Sequence, residues 1–374
     1  MKSNAQNRPP RTPKFFYLCA KIVRKMTDKK TATPLSDLGE FGLIERLTKP
    51  FGIKNSATVK GIGDDAAIIK SEGNDLVVTS DLLAEGIHFD LVYTPLAHLG
   101  YKAVMVNLSD VYAMGATPKQ ITVSLAVSSK FSVEALEQLY DGIRRACERY
   151  DVDLVGGDTT SSMTGMVISI TAIGQVEPGK AFCRNGAKAG DLVCVSGDLG
   201  AAYAGLQILR REKDVYMIDP NNQPDLSKYD YVIERQLKPE ARRDVIAAIR
   251  KNGLTPTAMI DVSDGLSSEL LHICKQSGTG VKIYENKLPV DAQTEAVAAE
   301  MNMDATMLAM NGGEDYELLF TIPAEQVEIA GKMQEISIIG QITNEPEVYT
   351  LIGRNAGSAR ISAQGWNAYG NGKG

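Results

Sequence analysis

Six short stretches of this chain set acids among glycine, serine and threonine, and nearly every one borders an apolar run. They are Gly61-Ile62-Gly63-Asp64-Asp65, Thr79-Ser80-Asp81, Asn107-Leu108-Ser109-Asp110, Gly156-Gly157-Asp158-Thr159-Thr160, Asp261-Val262-Ser263-Asp264-Gly265 and Gly312-Gly313-Glu314-Asp315. An acid beside an apolar run falls at the end of a strand or helix, where a fold can gather several of them. Carboxylates gathered in one place repel: at about 4 Å and an effective dielectric near 20, each pair costs roughly 4 kcal/mol. Cations between them remove that cost. The pattern therefore points to a site for Mg²⁺ and phosphates.

The bulk composition fits such a protein. A length of 374 residues is about two domains' worth, and 44% apolar with 23% charged residues is ordinary for a globular chain. A net charge of −6 and the lack of a long basic stripe argue against a nucleic-acid binder, without excluding a local anion site. Three histidines, His88, His98 and His272, are too few for a His-rich zinc or iron centre, so oxygen ligands must hold any metal. The five cysteines contain no CxxC pair, which favours reduced thiols and a cytoplasmic setting. No segment is apolar for long enough to span a membrane. Residues 1–35 are polar and basic around one short apolar patch, Phe15–Ala20, and read as a disordered extension.

Period and punctuation give the organisation. Ser36 is a candidate cap for a helix through Phe41 to Leu47. Strands are expected at Ala66–Ile69, Leu76–Ser80, Ile121–Val127, Leu154–Val155 and Met166–Val176, with helices at 95–114 and Val133–Tyr150. The turn Glu177-Pro178-Gly179-Lys180 divides an N-terminal domain, 36–176, from a C-terminal one, 177–374. Beyond it come a strand at Asp191–Gly197, a helix at Leu199–Leu209, an exposed polar excursion at 211–230 and a helix at Ala241–Lys251. A strand at Ala258–Val262, a helix at Ser263–Ser277 and a strand at Leu318–Ile322 follow. The expected fold class is α/β: two domains of mixed sheets flanked by helices, with a cleft between them.

Each motif has a plainer reading. The Gly61 segment is either a metal- or phosphate-binding loop or a tight turn with solvated acids. Thr79-Ser80-Asp81 offers hard oxygen ligands at a strand end, or merely a cap. Asp110 lies within a helical pattern, where a buried carboxylate needs a metal or a local hydrogen bond. Gly156-Gly157-Asp158 follows a strand as phosphate-binding turns do, yet it lacks the P-loop lysine. Ser263 and Asp264 fall where a helix begins, and two acids around one serine exceed what capping needs. His88, Arg184, Trp366 and Tyr369 carry little weight singly.

Taken in order, these motifs resemble the thiamine-monophosphate kinase family of the aminoimidazole-ribonucleotide-synthetase-like superfamily. The segments GIGDDAA, TSDLLAEGIHF, YKAVMVNLSDVYAMGA, VGGDTT, DVSDGLSSEL and NGGEDYELLFT carry the resemblance, across roughly residues 37 to 370. It implies transfer of the ATP γ-phosphoryl group to thiamine monophosphate, with several Mg²⁺ ions, in a homodimer built by the N-terminal halves. It also implies metal ligands at Asp65, Thr79, Ser80, Asp81, Asp110, Asp158, Asp261 and Asp264, with Asp64 behind them. ATP contacts would come from Gly157, Asp158, Arg184 and Ser263, and acceptor contacts from His88, Glu314 and Tyr369; the C-terminal match leaves Trp366 or Tyr369 open. The chemistry agrees: a phosphate acceptor is already ionised near neutral pH, so metal-assisted direct transfer needs no strong base. A sister ATP-dependent enzyme of the superfamily, or a silent nucleotide- and metal-binding module, are the competing readings.

Overall fold

The computed structural model describes residues 37–221 and 224–363. The expectations for residues 1–35, Ser36, Trp366 and Tyr369 lie outside them. Helix α1 (Gly39–Thr48) belongs to a unit separate from the body formed by Ile53–Trp366, and it buries none of its own residues.

Within that body the first sheet takes β1 (Thr58–Lys60), β2 (Ala67–Ile69), β3 (Asp75–Ala84), β4 (Thr117–Val127), β5 (Asp153–Ser161) and β6 (Val167–Val176) in the order β1-β2-β3-β6-β4-β5. Strict alternation in VISITAIGQV makes β6 bury every second residue, and it pairs antiparallel with β3 from Val176–Asp75 to Val167–Ala84. The second sheet takes β7 (Leu192–Ser196), β8 (Ala258–Asp261), β9 (Gly280–Tyr284), β10 (Leu318–Ile322), β11 (Ile336–Thr343), β12 (Tyr349–Ile352) and β13 (Ser358–Arg360) in the order β13-β12-β9-β11-β7-β10-β8. Strand β10, which lies between β7 and the edge strand β8, is buried at every residue, as a continuous apolar run requires. Both sheets are mixed.

Helix α2 (Leu96–Ala113) is apolar on nearly all sides and is buried almost throughout. It lies on β3, β4 and β6 and also touches β8. One apolar cluster runs from Leu99, Met105 and Leu108 to Met259, Leu318 and Phe320. The expected cleft is thus bridged at α2, which couples the sheets through a common core. Helix α3 (Val133–Tyr150) is amphipathic, buries Leu139, Gly142, Ile143, Ala146 and Tyr150, and is capped by Ser132, whose hydroxyl accepts from the Ala135 N–H. It meets α2 through paired glycines: a Cβ at Gly142 would stand 1.9 Å from the Ala97 carbonyl oxygen, and one at Gly100 2.0 Å from that of Leu139. Gly142→Ala is expected to lower stability by about 2–3 kcal/mol, read from the urea midpoint, because the helices must part. An unchanged midpoint would mean that the close crossing carries no energy.

Three local expectations are corrected. Helix α4 (Ala201–Ile218) runs past Leu209 into the supposed excursion at 211–230, and Tyr229 is buried. The polarity there serves fastening: Arg211 reaches Glu300 at 2.8 Å and the Tyr229 hydroxyl at 3.0 Å. Gly156–Thr160 forms no turn but continues β5, which pairs parallel with β4. Gly157 is needed for that pairing, since a Cβ would stand 1.8 Å from the Val123 oxygen. Helix α7 (Leu266–Ser277) begins after Ser263 and Asp264, with Gly265 as its N-cap. The Ser263 and Val262 carbonyls accept from the Glu314 and Tyr316 N–H groups instead, which draws that backbone away from helix.

Helices α5 (Asp230–Leu237) and α6 (Arg243–Asn252) follow α4. Among the described residues no helix is long and apolar enough to cross a membrane.

Candidate active site

Three aspartates from distant parts of the chain converge where α2 meets both sheets. Asp65 comes from the loop before β2, Asp110 from the last turn of α2 and Asp261 from the end of β8. They offer carboxylate oxygens within 4.8 Å of one another. Each is held by a neighbour. The Thr79 hydroxyl donates to Asp110 Oδ2 at 2.6 Å, and the Ser109 hydroxyl donates to Asp261 Oδ2 at 2.6 Å. Arg184 donates from Nη2 and Nε to Asp65 Oδ1, at 2.5 and 3.1 Å. The other Asp65 oxygen, Oδ2, is buried without a partner.

The electrostatics are those of acids crowded in a dry place. Burial pushes Asp65 up to about 7, with the Arg184 guanidinium pulling down and Asp261 and Asp64 pushing further up. Asp261 is pushed up to about 6 by burial, against the Ser109 hydrogen bond and Arg184. Burial, then Asp81, Asp261 and Asp65, drive Asp110 well above the carboxylate range. Asp81 sits on the same face of β3 as Thr79, and its N–H donates to Asn107 Oδ1 at 3.0 Å. Asp264 completes the acidic group: it raises Asp261, and its N–H donates to Glu269 Oε1 at 3.0 Å. Glu269 is itself buried and well above its ordinary value, through burial and then the charges of Asp264 and Asp261. Burial pulls Arg184 down, but the charge and hydrogen bond of Asp65 together with the charges of Glu269 and Asp64 leave it raised.

Five of the expected ligand aspartates thus come together, with Thr79. Ser80 does not join them: it points to the opposite face of β3, where its hydroxyl donates to the Ile170 oxygen at 3.2 Å. Asp158 does not either, because β5 is separated from β3 by β6 and β4 and is exposed throughout. Asp64 works behind the site, accepting from the Asp65 N–H at 3.1 Å and the Arg184 N–H at 3.2 Å and pairing with Lys60. Ser109 and Glu269 were missed as functional groups. Both lie inside quoted motifs, NLSD and DGLSSEL, and for Ser109 a polar residue inside a largely apolar helix was the available signal.

The Gly312-Gly313 segment splits its acids. Asp315 is buried and accepts from the Gly200 and Ala202 N–H groups at 2.7 and 3.2 Å, which caps α4; burial pushes it up to about 7 against Arg235. Glu317 is buried against Arg235, Arg242 and Ser196. Glu314 instead pairs with Lys102 of α2 at 2.9 Å and accepts from Gln236 Nε2 of α5 at 2.6 Å. The imidazole of His88 closes the loop after β3, its Nδ1 accepting from the Ala84 N–H at 3.0 Å. Further along that loop, Tyr93 is raised by burial and by nearby charges that include Asp90 and Glu314.

The donor set suits a hard divalent cation. An octahedral Mg²⁺ with bonds of about 2.1 Å needs ligand oxygens roughly 3–4 Å apart. The clustered carboxylates approach that spacing, and the orphaned Asp65 Oδ2 lacks the partner a cation would provide.

Known proteins share this architecture. Residues 63–176 match the N-terminal domain, and residues 188–352 the C-terminal domain, of AIR synthase related proteins. Thiamine-monophosphate kinase of Bacillus subtilis is 35% identical over 340 residues, covering 89% of this chain and all of the relative. That of Aquifex aeolicus is 38% identical over 292 residues, covering 78% of this chain and 88% of the relative. Among solved structures, AaThiL complexed with AMPPCP and TMP superposes with a TM-score of 0.78 at 32% identity, covering 90% of this chain and 99% of that one. The chain belongs to the thiamine-monophosphate kinase family, assembled from the two AIR synthase related domains.

Proposed function

We propose that this chain transfers the γ-phosphoryl group of ATP to thiamine monophosphate, yielding thiamine diphosphate and ADP. The observation that carries the reading is the Asp65–Asp110–Asp261 cluster, with Asp65 and Asp261 buried and Asp110 half-buried, in a member of this family. An oxygen of the acceptor phosphate forms the new bond to the γ-phosphorus, and the bond from that phosphorus to the β–γ bridging oxygen breaks. The electron pair leaves with ADP, so no phosphoenzyme arises.

Asp65, Asp81, Asp110, Asp261 and Asp264, with Thr79, would hold Mg²⁺. When bound, the ions supply charge neutralisation and alignment of the two phosphate groups. Ser109 and Thr79 fix the orientation of two of the carboxylates, and Arg184 keeps Asp65 in place beside the phosphates. ATP contacts are assigned to Gly157, Asp158, Arg184 and Ser263, and acceptor contacts to His88, Glu314 and Tyr369. The domains are taken as 36–176 and 177–374; the change from one sheet to the other between Val176 and Leu192 supports that division.

A homodimer through the N-terminal halves goes with this reading. Support comes from β5, a sheet edge that carries Asp158 and leaves Leu154 and Val155 exposed. A cytoplasmic setting is in keeping with free Cys147, Cys183, Cys194 and Cys274. The test supplies ATP and Mg²⁺ with thiamine monophosphate or with free thiamine, alongside light scattering for the mass of two chains. Thiamine diphosphate and ADP in equal amounts, from the monophosphate alone, are expected. Product from free thiamine would refute the acceptor assignment, and a trapped phosphoprotein would refute the direct transfer.

A further inference from the structure

Lys102 is the unusual residue of α2. Its side chain is only 4% exposed, in a helix otherwise packed by apolar groups. A buried ammonium is strongly unfavourable unless paired. Its partners are the Glu314 carboxylate at 2.9 Å and the Gln236 carbonyl oxygen at 3.1 Å. Among the described residues no other carboxylate lies within ion-pair reach of it. Gln236 makes the arrangement three-cornered, because its Nε2 donates to the second Glu314 oxygen at 2.6 Å while its own Oε1 stays buried without a partner. The backbone takes part as well. Glu314 is held in the left-handed region at φ 68°, an uncommon conformation for such a residue, and its N–H is tied to the Ser263 oxygen at 2.7 Å.

Strain, a buried cation and a neutral amide therefore all serve to present one carboxylate. That carboxylate remains reachable, its side chain being 25% exposed. The residue that holds it, and the acid cluster, are tied to one element, because Lys102 and Asp110 share one helix and are about 12 Å apart along its axis.

Building on the kinase reading above, we propose that Lys102 and Gln236 are positioning residues. They fix Glu314 so that the carboxylate and Gln236 Oε1 accept hydrogen bonds from the amino-bearing ring of the acceptor, while the acid cluster takes its phosphate. The ammonium offsets the Glu314 charge, so the site reads N–H donors rather than positive charge alone. Helix α2 acts as the ruler that relates the two ends.

The experiment compares Lys102→Met, Lys102→Arg and Gln236→Met with the unmodified chain. It measures KM for each substrate and kcat, using thiamine monophosphate and its 4-hydroxypyrimidine analogue, oxythiamine monophosphate. The unmodified chain is expected to favour the amino form about 10-fold or more. Lys102→Met is expected to raise the acceptor KM roughly 10- to 100-fold and to erase that preference, with KM for ATP changed less than about 2-fold. Lys102→Arg should restore part of the loss, and Gln236→Met should show a smaller change in the same direction. Wild-type acceptor KM and preference in both Lys102→Met and Gln236→Met would overturn the inference, as would a fall in kcat alone. Lack of turnover by the unmodified chain would overturn the kinase reading and this inference together, a result distinct from the other two.

Discussion

Asp110→Asn is expected to lower turnover roughly 10²- to 10³-fold while making the metal-free protein more stable. The two effects share one cause. Burial, followed by the charges of Asp81, Asp261 and Asp65, disfavours the ionised form of Asp110, and only the Thr79 hydrogen bond opposes them. Without a cation, the folded state at neutral pH must either hold that charge or keep a proton that the unfolded chain gives up. Either way, stability is lost as pH rises above the ordinary carboxylate value. Asparagine keeps an oxygen to accept from Thr79 Oγ1, removes the charge and preserves the volume. A gain on the order of 1–3 kcal/mol in EDTA at pH 7 is the expected consequence. Urea unfolding with and without Mg²⁺ checks it, and the stabilisation that Mg²⁺ gives the unmodified chain should shrink in the variant. A variant that loses both turnover and stability would show that Asp110 is a structural group.

The readable and unreadable parts of the site differ for physical reasons. Asp65, Asp110 and Asp261 were legible because each ends or borders an apolar run, and burying the run carries the acid inward. Ser80 stands apart from the cluster although its motif groups it with Thr79 and Asp81. Adjacent strand residues point to opposite faces, so Thr79 and Asp81 can face the cluster together and Ser80 cannot. The segment around Asp158 is a strand and not a turn, because the Gly156-Gly157 pair suggests a turn locally while the pairing with β4 is non-local. The same holds for the groups that orient the acids. Ser109 reaches Asp261 across 152 residues and Arg184 reaches Asp65 across 119, and no local pattern encodes such pairs. At the level of fold, the alternation in β6 and the all-round apolar pattern of α2 were sufficient, since one buried face or a buried cylinder dictates the element. The extent of α4 was hidden because ion pairs, Arg211 with Glu300 and Lys213 with Asp90, fasten its polar end.

Arg184→Met should destabilise the metal-free protein by about 3 kcal/mol at pH 8 and by roughly 1 kcal/mol at pH 5. The guanidinium faces Asp65, Asp64, Asp261 and Glu269, and His272 lies close enough to feel its charge. In the folded chain Asp65 titrates at about 7, against about 3.9 when unfolded. Between those values the folded state binds the extra proton, so its contribution to stability is present in acid and falls as pH rises. At pH 8 Asp65 is ionised, and removing Arg184 leaves a buried carboxylate with its hydrogen bonds gone. At pH 5 Asp65 is already protonated and the pair contributes little, so the loss approaches that of packing alone. His272 works in the same direction. Burial first, then Arg184, lowers it to about 4, so the folded state resists its protonation below pH 6.5, and removing the cation relieves that resistance. Urea unfolding in EDTA at the two pH values measures the difference. Equal losses at pH 5 and pH 8 would mean that Arg184 acts through its bulk, and the charge balance assigned to the Asp65 site would have to be abandoned.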